Sequence, residues 1–288
     1  MESQDLVQNA EFPFKPADFR TIARLLQAEA GIALGDNKAN LVYSRLAKRL
    51  RALKLRTFRD YCTLLEGPQG AAELGEMIAA LTTNVTRFFR EPHHFDHLRT
   101  QLMPALITAA RKGQRIRFWS SACSSGQEAY SIAMTVLSVM PDAARHDVKI
   151  IATDIDPKMI ACAEAGLYAE AAMDSVPALL RSRWFVIGDN GQHQVGDDLR
   201  AILSFRRLNL IGSWPLAGQF QAIFCRNVVI YFDQETQARL WERMVPALAA
   251  EGALYIGHSE RITGPAASAL RHDGITTYRL TAYASAPA

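Results

Sequence analysis

Cysteine is scarce and unpatterned in this chain of 288 residues. Cys62, Cys123, Cys162 and Cys225 form no C-x-x-C pair, so the common zinc frameworks and a disulfide scaffold are not expected. Neither sign of charge dominates. With 32 basic and 29 acidic residues the net charge is +3, and no global field selects a partner. No apolar stretch approaches the ~20 residues of a membrane span. The first residues carry Glu2 and Asp5 and no apolar signal core. A reducing, cytoplasmic setting without membrane insertion is therefore expected. The sequon-like Asn84-Val85-Thr86 is a coincidence in that setting. Internal repeats are missing, and low complexity is confined to the Ala/Ser/Pro tail at 282–288, expected to be disordered. The dinucleotide fingerprint G-x-G-x-x-G is also missing.

The most informative stretch present runs from Arg117 to Glu128, RFWSSACSSGQE. It reads as a buried strand, a run of small residues, then an acid opening a helix over Gly126–Val139. Small side chains let the backbone approach a ligand, and a helix start presents free N–H groups. A second apolar strand, Lys149–Asp154, ends in a carboxylate, where ribose hydroxyls are held in nucleotide folds. A pyrophosphate needs several close backbone donors, and only Gly126 is available here. A cofactor with a ribose and no phosphate fits better, and S-adenosylmethionine is of that kind.

Residues 1–82 read as helical. Asp18 is placed to cap a helix ending at Gly31, a second helix spans about Asp36–Leu55, Thr57 with Asp60 caps a third, and Glu73–Leu81 is a fourth. From His93, after one more helix to Lys112, strands and helices alternate. Strands fall at Ile116–Ser120, Lys149–Asp154, Phe220–Cys225, Ala253–Gly257 and Ile275–Leu280, which predicts an α/β sheet. A hairpin with its turn at Gly188–Gly191 interrupts the rhythm, so a small antiparallel β-subdomain is expected at about 184–205.

Glu128, Asp154, Asn209-Leu210 and Arg226-Asn227 each follow an apolar strand and so gather at one sheet edge as cofactor candidates. His93, His94 and His97 sit at a helix start, where capping and packing are the simpler roles, and no metal is expected. The second helix is two-faced. Val42, Tyr43, Leu46, Leu50 and Leu53 share one arc, and Lys38, Arg45, Lys48, Arg49, Arg51 and Lys54 share the remainder. That localised basic face implies an acidic partner. A nucleic-acid partner would want stacking aromatics among the cations, and only Tyr43 is there, on the apolar arc.

Taken together, these strings resemble the chemotaxis receptor methyltransferase family (CheR). They are Ala39–Leu53, Leu81–Phe95 (LTTNVTRFFREPHHF), Trp119–Ala133, Ala152–Pro157 (ATDIDP), Ile223–Asp233 (IFCRNVVIYFD) and Gly257–Glu260 (GHSE). The loop departs from the family at Gln127 and Ala129 and keeps Glu128. The resemblance implies a class I methyltransferase (Rossmann-like α/β) fold at 93–281 with the β-subdomain inserted. It also implies a helical receptor-docking domain at 1–82 and a linker at 83–92 that contributes to the active site. The implied reaction is methylation of receptor glutamates by S-adenosylmethionine, leaving S-adenosylhomocysteine. Cofactor contacts then fall on Asn84, Thr86, Arg90, Glu128, Asp154, Asn209, Leu210, Arg226 and Asn227. Arg90 and Tyr231 lie near the reactive methyl. Lys38, Arg45, Lys48, Arg49 and Arg51 dock the methyl-accepting chemoreceptor, with Arg45 and Arg51 foremost. The hairpin loop is short relative to members that bind a receptor-tail peptide there, which tells against tail docking. A glutamate acceptor is ionised at neutral pH, in keeping with a sequence that offers no obvious histidine–carboxylate dyad.

Overall fold

The computed structural model describes residues 5–7, 10–188 and 191–281. The hairpin turn at Asp189 and Asn190 and the tail at 282–288 lie outside these residues. The chain divides into two compact units, one of residues 1–83 with 231–233, the other of residues 84–230 with 234–288.

The smaller unit is helical, with α1 (Pro16–Ala30), α2 (Ala39–Leu53), α3 (Phe58–Glu66) and α4 (Gly70–Leu81). Pro16 opens α1, its fixed φ suiting a first helical position. Helix entry is thus earlier than expected, and Asp18 is not the N-cap. It sits in the first turn and its Oδ2 accepts from Lys15 N at 3.0 Å. Gly31, with φ of 73°, ends the helix in the left-handed conformation that glycine adopts without a Cβ clash. A short 3-10 turn at Asp36–Lys38 precedes α2. The apolar arc of α2 behaves as its periodicity requires, with Val42, Leu46 and Leu50 fully buried. Thr57 caps α3 by accepting from Asp60 N at 3.1 Å. The segment 231–233 joins this unit through an antiparallel bridge between Ile32 and Phe232 and a bond from Ala33 N to Tyr231 O.

The larger unit is built on β1 (Ile116–Ser120), β2 (Val148–Asp154), β6 (Leu203–Arg207), β7 (Phe220–Cys225), β8 (Leu248–Ile256), β9 (Leu270–Gly274) and β10 (Thr277–Leu280). Their order is β6-β2-β1-β7-β8-β10-β9. The first five run parallel, and β10 is antiparallel to both neighbours. The helices of this unit are α5 (His93–His97), α6 (Met103–Arg111), α7 (Gln127–Val139), α8 (Pro157–Ala165), α9 (Ala178–Trp184), α10 (Asp197–Ala201), α11 (Gln234–Ala247) and α12 (Ala266–Ala269). The long helix expected from His93 to Lys112 is broken by a π-helical segment at Leu98–Leu102, just before Pro104.

A second sheet contains β3 (Leu167–Tyr168), β5 (His193–Val195) and β4 (Phe185–Ile187), in that order. Two details differ from expectation. Leu167–Tyr168 lies before the anticipated insertion yet pairs with β5. β6 belongs instead to the main sheet, as the parallel partner of β2. A two-residue strand has too little pattern to show in sequence, and an apolar run such as Ile202–Phe205 does not declare its partner.

Candidate functional site

The site forms at the carboxyl ends of the parallel strands, where the crossovers leave a crevice. After β1 the small-residue run turns tightly, held by Ser121 N to Phe224 O and Cys123 N to Thr153 O, both 2.9 Å. Gly126 is required here. Its φ is 97°, and a Cβ would lie 2.8 Å from Ala163 Cβ and 2.9 Å from the Tyr168 hydroxyl. Glu128, in the first turn of α7, is buried, with Oε1 accepting from Ser120 Oγ at 2.7 Å and Oε2 from Arg226 at 2.8 Å.

Asp154 ends β2 as expected. Its Oδ2 accepts from Ser124 N at 2.8 Å and its Oδ1 from Asp156 N at 3.0 Å. Burial pushes the Asp154 carboxyl up, against those backbone donors. A carboxylate has about four acceptor sites, so these two bonds do not exhaust it. Burial likewise raises Glu128, and the Arg226 guanidinium opposes it.

The 84–92 segment contributes by main chain and side chain. Asn84 Nδ2 donates to Asp156 at 3.0 Å, and Asn84 O accepts from Ser124 Oγ at 2.8 Å. Thr86 is half-buried. Arg90 NH1 donates to Val85 O at 3.2 Å, and Arg90 O accepts from Arg226. Arg226 is thereby a buried hub, joining Glu128, the Arg90 carbonyl and Glu91, the last at 3.3 Å. Asn209 Oδ1 accepts from Ile211 N at 3.1 Å, and Leu210 O accepts from Trp214 Nε1 and Arg243. Tyr231 belongs by packing to the helical unit.

Several participants carried no signal that singled them out. Glu91 ends the FFRE string, and Glu260 ends GHSE. Glu260 is buried and accepts from four main-chain N–H groups, those of Gly257, Asn227, Val228 and Val229, at 2.6–2.9 Å. It ties the turn after β8 to the turn after β7. Gly257 lets them meet, since a Cβ there would come 2.5 Å from Asn227 Nδ2. Phe89, Glu91, Ser124 and Asn227 all have left-handed φ of 50–58°. Non-glycine residues so placed are strained by about 1–3 kcal/mol each, and they persist where neighbours over-determine them, typically at functional sites.

A histidine–carboxylate pair is present, contrary to expectation. His258 Nδ1 lies 3.0 Å from Glu91 Oε1, and the His258 side chain is 66% exposed. The two residues are 167 positions apart, so no local pattern reveals them. Burial would raise the Glu91 carboxyl, but Arg226 and the hydrogen bonds from His258 hold it down to about 2. Glu91, His93 and His94 also bring ligand-type atoms within 4.8 Å of one another. The Arg226 guanidinium, 3.3 Å from Glu91, already supplies positive charge there. His97 is engaged by Tyr255 and Asp273, each at 3.0 Å.

Comparison with known proteins gives this edge its context. Residues 84–278 match the family described as CheR methyltransferase, SAM binding domain, and residues 17–82 match CheR methyltransferase, all-alpha domain. The chain belongs to the CheR family. It is 51% identical to a probable chemotaxis protein methyltransferase of Rhizobium etli, over 89% of this chain and 97% of that one. It is 42% identical to chemotaxis protein methyltransferase 2 of Pseudomonas aeruginosa, over 94% and 95% of the two chains. With the chemotaxis protein methyltransferase of Escherichia coli it shares 40% identity, over 86% and 85%. The cofactor is S-adenosylmethionine, and the chain is a methyltransferase. The donor set suits it. Asp154 offers acceptors for a ribose diol. A zwitterionic amino-acid end calls for partners of both signs, and Arg226 and Glu91 lie together here, Arg226 Nε and Glu91 Oε2 having no hydrogen-bond partner in the protein. Among the described residues no helix is long and apolar enough to cross a membrane.

Proposed function

We propose that this CheR-family chain methylates glutamate side chains on the cytoplasmic helices of methyl-accepting chemoreceptors, giving glutamyl methyl esters for sensory adaptation. When bound, S-adenosylmethionine supplies a methyl group on a sulfonium. The chain's own residues have to hold the cofactor and an acceptor that is already ionised, because a free glutamate has a pKa of about 4.3. Asn84, Thr86, Arg90, Glu128, Asp154, Asn209, Leu210, Arg226 and Asn227 form the cofactor side, with Arg226 and Glu128 positioning one another. Arg90 steers the acceptor carboxylate, and Tyr231 is the second residue assigned to the reaction. Residues 1–82 dock the receptor, 83–92 link, and 93–281 carry the chemistry.

The observation that carries an acidic protein partner is the face of α2. Lys38, Lys48 and Lys54 are exposed, and among the described residues none has a carboxylate within ion-pair distance. Tyr43 offers nothing for base stacking. Its hydroxyl accepts from Phe12 N, and its ring packs with Phe14 and Phe58. The deciding experiment gives the full-length protein methyl-tritiated cofactor and the cytoplasmic fragment of a chemoreceptor. Label released from the fragment as methanol by mild base supports the reading, and base-stable label or none sinks it. The His258–Glu91 pair favours one alternative, an acceptor that must lose a proton. His258→Gln separates the two. An ionised glutamate acceptor predicts a rate independent of the histidine ring between pH 5 and 8. A single-proton dependence lost in the variant would establish a base.

A further inference from the structure

A cavity of about 640 Å³ opens at the carboxyl ends of β7 and β8, between the turn after β8 and the start of α11. Ile230, Gln234, Gln237, Ser259, Arg261 and Thr263 line it. None of these is in the cofactor set, and the volume suits a ligand or a protein side chain with its flanking backbone. Three observations define its chemistry. Arg261 is exposed, and no acceptor in the described residues engages its guanidinium. Thr263 Oγ1 is buried without a hydrogen-bond partner, a condition that calls for one. Glu260, the acid in the wall, is turned away, its carboxylate consumed by four main-chain donors. Glu235 on α11 is paired with Arg239. The cavity therefore presents the Arg261 cation and the Ser259 and Thr263 hydroxyls, with no free carboxylate in its lining. It is built for an anion that also accepts hydrogen bonds.

Its place in the sheet narrows the choice. Asp154 and Glu128 mark the cofactor side at β2 and just after β1, and β7 and β8 are the next strands along. Neighbouring strands are about 4.8 Å apart, so β7 and β8 lie about 5–14 Å along the sheet from the strands that carry Glu128 and Asp154. We propose that it is a substrate subsite, in which Arg261 and Thr263 receive a carboxylate side chain of the protein substrate other than the one that is methylated. The inference rests on the reading of the substrate as an acidic receptor helix and makes that reading specific. Acceptor choice then depends on a neighbouring acid as well as on the acceptor itself.

Arg261→Gln removes the charge and leaves the turn in place, because it is the main-chain carbonyl of Arg261 that accepts from Trp241 Nε1, at 3.1 Å. With the charge-assisted hydrogen bond lost, KM for the receptor fragment should rise about 10- to 100-fold. Turnover at saturation and affinity for S-adenosylhomocysteine should be unchanged, and Arg261→Lys should restore much of the loss. In the fragment, replacing acids that flank the acceptor by Gln, one at a time, should find one position with the same penalty in wild type and no further penalty in Arg261→Gln. Calorimetry of the fragment with protein saturated by S-adenosylhomocysteine measures the subsite without any methyl transfer. If that binding weakens in Arg261→Gln while wild type forms no ester, the subsite stands and the glutamate reading fails. If esters form and neither KM nor fragment affinity responds to Arg261→Gln, the subsite is overturned.

Discussion

Single residues decide this site by what they accept. Asp154 accepts from the main-chain N–H groups of Ser124 and Asp156 and keeps acceptor capacity beyond them. Asp154→Asn turns an N–H₂ toward donors and gives up charge-assisted bonding, worth about 1.5–3 kcal/mol. Affinity for S-adenosylhomocysteine should fall about 10- to 100-fold by calorimetry, and an unchanged affinity would remove Asp154 from the cofactor set. His94 governs a different property. It is fully buried, with Nε2 2.8 Å from Thr276 Oγ1, and burial, with Arg226 beside it, pushes its pKa down to about 3. An unfolded histidine titrates near 6.5. Between those values the unfolded chain holds a proton that the folded one does not, so this group makes stability fall as pH drops from 6.5 towards 3. The slope is at most about 1.4 kcal/mol per pH unit. His94→Gln should flatten the pH dependence of urea midpoints over that window while lowering stability at pH 7. Equal slopes in the two proteins would assign the acid sensitivity elsewhere.

At the scale of elements, α2 shows how far a charge pattern can be read. Its amphipathicity was legible because burial of Val42, Leu46 and Leu50 follows from a 3.6-residue period. Which cations face a partner was not legible, because pairing depends on residues distant in sequence. Arg45 donates to Leu81 O and Thr82 O, both at 2.7 Å, and so caps the C-terminus of α4. Arg49 pairs with Glu73 and Glu76, and Arg51 pairs with Glu11. Two of these, Arg45 and Arg51, were the residues sequence put foremost for docking, and the structure gives both work inside the helical unit. Arg45→Ala should accordingly lower the unfolding free energy of the protein by about 1–3 kcal/mol, since two helix-end carbonyls lose their donor. Lys38→Glu with Lys48→Glu should leave the thermal midpoint nearly unchanged and weaken association with an acidic receptor fragment, most strongly at low salt. The pairing is inverted if Arg45→Ala unfolds like wild type while the double lysine variant melts early.

Across the whole molecule, the parts legible in sequence are those set by local pattern. β6 reads in sequence as part of the insertion, but the other four of the five parallel strands and the acid ending β2 follow from apolar runs and their terminal residues. The Arg226 hub, the Glu260 clasp and the His258–Glu91 pair do not, because each joins segments far apart in the chain: 98 residues separate Arg226 from Glu128 and 33 separate Glu260 from Asn227. Only topology brings them together, at the one edge where five parallel strands end. That convergence has a dynamic consequence. A ligand that binds only the folded form stabilises it by about 2.7 kcal/mol at 100 times its Kd. Local openings that break the site must then become rarer in the segments that build it. Saturating S-adenosylhomocysteine should slow amide hydrogen exchange in 84–92, 120–128, 152–157, 226–229 and 257–260. The last of these responds because the Glu260 clasp couples it to Asn227 and Val229, although it carries no residue assigned to the cofactor. Exchange in α1 and α3 should change little, since no proposed cofactor contact lies in them. Protection that reached 226–229 and left 257–260 untouched would show that the Glu260 clasp opens independently of the site, and the two turns would then have to be treated as separate parts.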